Sequence, residues 1–128
     1  MPIRTLDQLH AARRLVLEWA TALKFSSLES TKLVTASSEL GRNTLVHGLG
    51  GSMTISELKQ EGRAGLQLVF EDAGPGIASI EHAMTDGFST GKTLGLGLGG
   101  ARRLVNEFEI TSQPGQGTRI TVRQWKRR

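Results

Sequence analysis

Apolar residues before position 48 recur at helical spacing, and after position 52 they fall in short, strand-length runs. This change of period constrains the fold more than any single motif, because each period commits its segment to one kind of buried face. Leu9, Ala12, Val16, Trp19, Ala20 and Leu23 predict an amphipathic helix over residues 7–24. Thr5 or Asp7 can cap its start. Ser26 and Glu29 have capping-box spacing and open a second helix, from about Leu28 to His47. Leu33, Ala36 and Leu40 form its buried side, and Gly48 to Gly51 stop it.

Met53–Leu58 and Leu66–Phe70 read as strands joined through Glu61-Gly62-Arg63-Ala64-Gly65. A glycine-rich region runs from Asp72 to Gly100, with one short helical piece around Ile80–Met84. Ala101–Glu107 reads as helix. Phe108–Ser112 and Thr118–Trp125 make a second hairpin, turned by Pro114-Gly115-Gln116-Gly117. Helices first and hairpins after predict an α+β fold: a two-layer sandwich with helices covering one face of a mixed sheet. The 128 residues fit one domain.

Composition removes several classes of function. There is no cysteine, so disulfides and thiolate metal sites are excluded. No run of apolar residues is long enough for a membrane span, and Met1 to Leu9 lack the pattern of a signal peptide. A cytoplasmic location is the expectation, with no membrane partner. The net charge is +4, and five of the sixteen basic residues lie in the last ten positions. Such a tail reads as a solvated end or as a contact for nucleic acid or an acidic partner. With four Phe, two Trp and no Tyr, no aromatic–basic stacking platform exists, so nucleic acid is not expected.

Two phosphate-binding patterns fail on context. Gly95-Leu96-Gly97-Leu98-Gly99-Gly100 satisfies G-x-G-x-x-G, but a polar stretch precedes it where a dinucleotide fold needs a buried strand. Glu107 and Glu109 come too early for the ribose-binding acid. Gly87 to Thr93 resembles a P-loop, but three residues separate its glycines where four are required. The V-A-I-K, H-R-D and D-F-G elements of eukaryotic-type kinases are absent.

Three other elements carry chemistry. Glu39, Asn43 and His47, at i, i+4 and i+8, fall on one polar face of the second helix. An amide oxygen there suits Mg²⁺, and a carboxylate one turn away can take a proton from an attacking hydroxyl. The same spacing also fits a solvated helix face. Glu71-Asp72-Ala73-Gly74-Pro75-Gly76-Ile77 follows a strand. A carboxylate at a strand end can accept the exocyclic amine of adenine, and Gly74 and Gly76 allow close backbone approach. An ordinary turn is the other reading. Gly95 to Gly100 run into the helix at Ala101, where backbone N–H groups favour phosphate, or else connect flexibly. The joint occurrence of all three in this order favours ATP binding.

With these elements in place, the chain resembles the GHKL ATPases (gyrase, Hsp90, histidine kinase and MutL type), whose fold is the Bergerat fold. It is most similar to RsbT-type switch serine/threonine kinases of the stressosome, relatives of the anti-sigma factor kinases. The stretches that carry the resemblance are Ser38 to Asn43, Glu71 to Ile77, Asp86 to Thr90, and Gly95 through Arg103 to Phe108. The resemblance implies Glu39 as general base, Asn43 as Mg²⁺ ligand and Asp72 as adenine acceptor. It implies that Gly74, Gly76, Gly95, Gly97, Gly99 and Gly100 shape the ATP pocket. Asp86 to Thr93 would be a lid, from which Lys92 could reach a phosphate. The family's first strand precedes the first helix, and only Met1 to Thr5 remain here to form it.

The function implied is Mg-ATP-dependent phosphorylation of STAS-domain partners (a stressosome scaffold or an antagonist), with binding of a downstream effector such as a phosphatase. The alternative is an anti-sigma factor that sequesters a sigma subunit and phosphorylates its antagonist. A module using ATP only as a structural ligand is disfavoured by the presence of both Glu39 and Asn43. A detached histidine kinase domain is disfavoured because no dimerisation helix with a phosphoacceptor His is present.

Overall fold

Both long helices start at caps written into their own sequence. In the computed structural model, which describes residues 1–76 and 97–127, α1 spans Leu6–Ala22. The Thr5 hydroxyl accepts from the Gln8 N–H at 3.1 Å. Helix α2 spans Ser27–Arg42 and carries the complete capping box: Glu29 N–H donates to Ser26 Oγ at 3.1 Å, and Ser26 N–H donates to Glu29 Oε1 at 2.7 Å. Caps of this kind contribute about 1 kcal/mol each. The buried faces are those the spacing predicts: Leu9, Ala12, Val16 and Ala20 on α1, and Leu33, Ala36 and Leu40 on α2.

The sheet has five strands: β1 (Pro2–Ile3), β2 (Gly51–Gln60), β3 (Arg63–Asp72), β4 (Glu107–Ser112) and β5 (Thr118–Trp125). Their spatial order is β1-β2-β3-β5-β4. Met53, Leu66, Leu68, Phe70, Ile120 and Val122 are buried beneath the helices, giving the expected two layers. The edge strand β1 is only two residues long, as the short N-terminal stretch implied.

Several expectations are corrected in detail. All four pairings among the described strands are antiparallel, so these strands do not form the mixed ladder expected. The reason is topological. β3 and β4 run in the same direction, but the second hairpin places β5 between them. The first hairpin turns on Glu61-Gly62 alone, at φ +52° and +77°, and Gln60 pairs with Arg63. Two consecutive left-handed residues are what a tight two-residue hairpin turn requires. Arg63, Ala64 and Gly65 therefore belong to β3, where Lys126 N–H donates to the Ala64 carbonyl at 2.9 Å.

The region after the glycine run also differs. Helix α3 spans Gly97–Arg103, so Gly97, Gly99 and Gly100 lie inside its opening turns instead of before it. Glu107, expected as helix, begins β4. Asn106 sets the change of direction: its N–H donates to Gln124 Oε1 at 2.8 Å, and its Oδ1 accepts from Trp125 N–H at 2.7 Å. The helical piece at Ile80–Met84, the lid at Asp86 to Thr93, Lys92 and Gly95 lie outside the described residues. No described helix is long and apolar enough to cross a membrane.

Candidate functional site around the end of helix α2

Regular α-helix in α2 ends at Arg42, and Asn43–His47 continue as a π turn. Gly48 N–H donates to the Asn43 carbonyl at 3.0 Å, an i→i+5 bond. The wider turn holds more residues than an α-turn, so the i, i+4 spacing from Asn43 to His47 no longer keeps the two on one face as the Glu39–Asn43–His47 reading required. Asn43 still stands one α-turn beyond Glu39, whereas His47 is exposed and falls out of register. Thr44 anchors the turn. Its hydroxyl, fully buried, donates to the Leu40 carbonyl at 3.1 Å, and its own carbonyl accepts from Gly50 N–H at 2.9 Å. π turns inside helices often mark functional sites.

The three sequence elements meet at this helix end. The Glu39 side chain is largely buried and both of its carboxylate oxygens are engaged. Oε1 accepts from Arg42 Nη1 at 3.1 Å, and Oε2 accepts from the Gly97 N–H at 3.2 Å. The second bond joins the α2 element to the start of α3, across 58 positions of sequence. Gly97 has φ +70°, a left-handed conformation natural to glycine, at the point where the chain enters α3.

The Asp72 element packs against the same helix end through Gly48. Asp72 terminates β3 and is half-buried. Its Oδ1 accepts from Gly74 N–H at 3.0 Å, which closes the turn on itself and leaves Oδ2 for another donor. Gly48 lies so close that a Cβ there would overlap the Asp72 carboxylate. A Cβ on Gly74 would stand 2.6 Å from the Gly48 carbonyl. Gly76, at φ +75°, passes tightly over the Gln113 carbonyl, so its freedom is used against the β4–β5 turn. Pro75 and Gly115 complete that contact with a 2.6 Å backbone hydrogen bond.

Glu39, Asn43, Asp72, Gly74 and Gly97 are thus gathered around one helix end, with Gly99 and Gly100 buried in α3 beside α2. A model of the histidine kinase-like ATPase domain matches residues 4–124 of this sequence. The chain belongs to the histidine kinase-like ATPase family. The serine/threonine-protein kinase RsbT of Bacillus subtilis (strain 168) is 41% identical over 125 residues, covering 98% of this chain and 94% of that protein. The anti-sigma F factor of Thermoanaerobacter sp. (strain X514) is 29% identical over 120 residues, covering 89% and 82% respectively. The fold matches the crystal structure of the RsbU and RsbW domains of Rv1364c from Mycobacterium tuberculosis, with TM-score 0.62 and 21% identity. That match covers 97% of this chain and 31% of the longer one.

The ATPase domain of this family implies ATP as the ligand and Mg²⁺ as its companion ion. Mg²⁺ usually keeps several waters and takes only one or two protein ligands besides substrate phosphates. The described residues contain no group of three or more His, Cys, Asp or Glu that could cage a metal ion. A site of that kind would need only one amide oxygen beside the nucleotide, which Asn43 would supply. Two contributors escaped the sequence reading. Arg42 was visible only as part of S-E-L-G-R-N, although its i, i+3 spacing from Glu39 is a pairing signal. Gly48 read as a helix stop, and its contact with Asp72 has no local signature.

Proposed function

We propose that this chain is an RsbT-type serine/threonine protein kinase, a single nucleotide-binding domain over residues 1–128 that phosphorylates a STAS-domain partner and binds a downstream effector. The observation that carries the reading is the Glu39 carboxylate. It is fixed between Arg42 and Gly97 one turn before Asn43, with Asp72 brought to the same helix end. The family relation and the 41% identity to a serine/threonine kinase support it.

In this reading the Asp72 Oδ2 accepts the adenine amine, and Asn43 contributes an amide oxygen on the phosphate side. Mg²⁺ held there would supply charge neutralisation to the triphosphate. Gly74 and Gly76 shape the pocket indirectly, by letting the Asp72 turn pack on Gly48 and on the β4–β5 turn, and Gly99 and Gly100 by letting α3 pack beside α2, while Gly97, Gly95 and Lys92 are assigned to the phosphate side. Glu39 takes the proton from the partner's serine or threonine hydroxyl as its oxygen attacks the γ-phosphorus, the bond from that phosphorus to the β–γ bridging oxygen breaks, and ADP leaves.

The test is incubation with Mg-ATP and purified STAS-domain proteins, with phosphorylation read by mass spectrometry. Glu39→Ala is expected to bind ATP normally and to lose phosphotransfer by roughly 10²–10⁴-fold, the usual contribution of a general base. A normal rate in that variant refutes the assignment. The anti-sigma F factor relative supports a second reading, sigma sequestration. In that reading the chain holds a sigma subunit and phosphorylates its antagonist, so pull-down of a sigma subunit would favour it.

A further inference from the structure

We infer that Arg42 is a positioning residue for phosphotransfer: its guanidinium sets the Glu39 carboxylate in the orientation from which that group accepts the hydroxyl proton. This inference rests on Glu39 being the general base.

A carboxylate on a flexible side chain is a poor base until its direction is fixed. Here two donors fix it. Arg42 Nη1 holds Oε1 at 3.1 Å, and the Gly97 N–H holds Oε2 at 3.2 Å. One donor comes from the same helix and the other from α3, so the plane of the carboxylate is set relative to both elements. Each oxygen keeps a further lone pair for a substrate hydroxyl.

The environment argues against a purely stabilising role. The Arg42 side chain is 37% exposed and that of Glu39 only 13%. Partly exposed i, i+3 ion pairs contribute little to folding. Arg42 also sits in the last α-turn of α2, just before the π turn that carries Asn43. Any change in its reach is transmitted to Glu39 directly and to the fold hardly at all.

Proximity sets the expected size of the effect. Displacement of a reacting group by about 1 Å can cost on the order of 10²-fold in rate. Arg42→Ala should therefore lower kcat for partner phosphorylation by roughly ten- to hundred-fold and leave the Kd for Mg-ATP unchanged. Arg42→Lys keeps a cation of similar length and should recover most of the rate. Arg42→Ala should have no further effect in a Glu39→Ala background, because residues acting as a unit are not additive.

The experiment is single-turnover phosphotransfer at saturating Mg-ATP for these four variants. Calorimetric ATP affinity and circular dichroism are measured on the same preparations. A rise in the Kd for ATP with kcat kept would make Arg42 a phosphate ligand and overturn the inference. An equal loss in wild-type and Glu39→Ala backgrounds would overturn it too, since Arg42 would then act independently of Glu39. If Glu39→Ala itself keeps the normal rate, the proposed base fails first. That result is separable, because the Arg42 variants are then compared against an active background. Should Arg42→Ala fail to fold, Arg42→Lys and Arg42→Gln carry the comparison: Lys close to wild type and Gln impaired supports the inference, and no difference overturns it.

Discussion

Asp72→Asn is the sharpest perturbation of the nucleotide reading, because asparagine replaces only one of the carboxylate's two tasks. The Asp72 Oδ1 closes the local turn by accepting from Gly74 N–H at 3.0 Å, and an amide oxygen can do the same. The fold around Gly48 and Gly74 should survive, since the side chain keeps its shape against that close contact. The Oδ2 becomes an amide NH₂, which cannot accept the adenine amine. Hydrogen bonds to charged groups contribute about 1.5–3 kcal/mol. The half-buried position favours the lower part of that range, and the loss of acceptor chemistry predicts a roughly ten- to hundred-fold weaker Kd for ATP.

Inosine triphosphate supplies the internal control. It carries an oxygen where adenine has the amine, so the new NH₂ can donate to it. The preference for ATP over inosine triphosphate should collapse in Asp72→Asn, and calorimetry with both nucleotides reads it directly. Thermal melting of the free protein should be nearly unchanged. Equal ATP affinity in wild type and variant, or an unchanged ratio between the two nucleotides, would show that Asp72 does not read the base.

Three other outcomes test the structure. Asn43→Ala should weaken ATP binding when Mg²⁺ is present and change it little when the metal is chelated, by calorimetry under both conditions. Gly51→Ala should destabilise the protein by about 1–3 kcal/mol in urea unfolding. A Cβ there would overlap the Glu71 carbonyl and stand 2.8 Å from Thr44 Cγ2, at the base of both functional elements. Glu29 should make stability depend on acid. Burial pushes its carboxyl up, but the N–H groups of Ser26 and Arg127, the Ser26 hydroxyl and the Arg127 charge together hold it below the usual carboxylate range. Its folded-state affinity for protons is therefore depressed. The stabilisation is full above the unfolded value of about 4.3 and is lost as pH falls through the folded one. Wild type should exceed Glu29→Gln in urea midpoint near neutral pH, with the gap closing in acid. A gap that does not change with pH refutes that linkage.

The sequence by itself determined the parts of this protein that depend on near neighbours. Thr5, Ser26 and Glu29 cap helices through bonds spanning three residues, and the buried stripes of α1 and α2 follow the helical period. Glu39, Asn43 and Asp72 stood out because their chemistry recurs with recognisable glycines around it. Tertiary structure decided what no local pattern encodes. The strand order put β5 between β3 and β4 and made the described pairings antiparallel. The π turn, closed by an i→i+5 bond, took His47 off the α-helical register of Asn43, a change that helical spacing cannot foresee. The bond from Gly97 N–H to Glu39, the packing of Gly48 on Asp72, and the Arg127 N–H bond to Glu29 at 2.7 Å, 98 positions away, all join distant segments. Such contacts form only after both segments have been placed by the shared core. Their energies depend on positions fixed to within a few tenths of an ångström, which residue identity and local spacing do not specify.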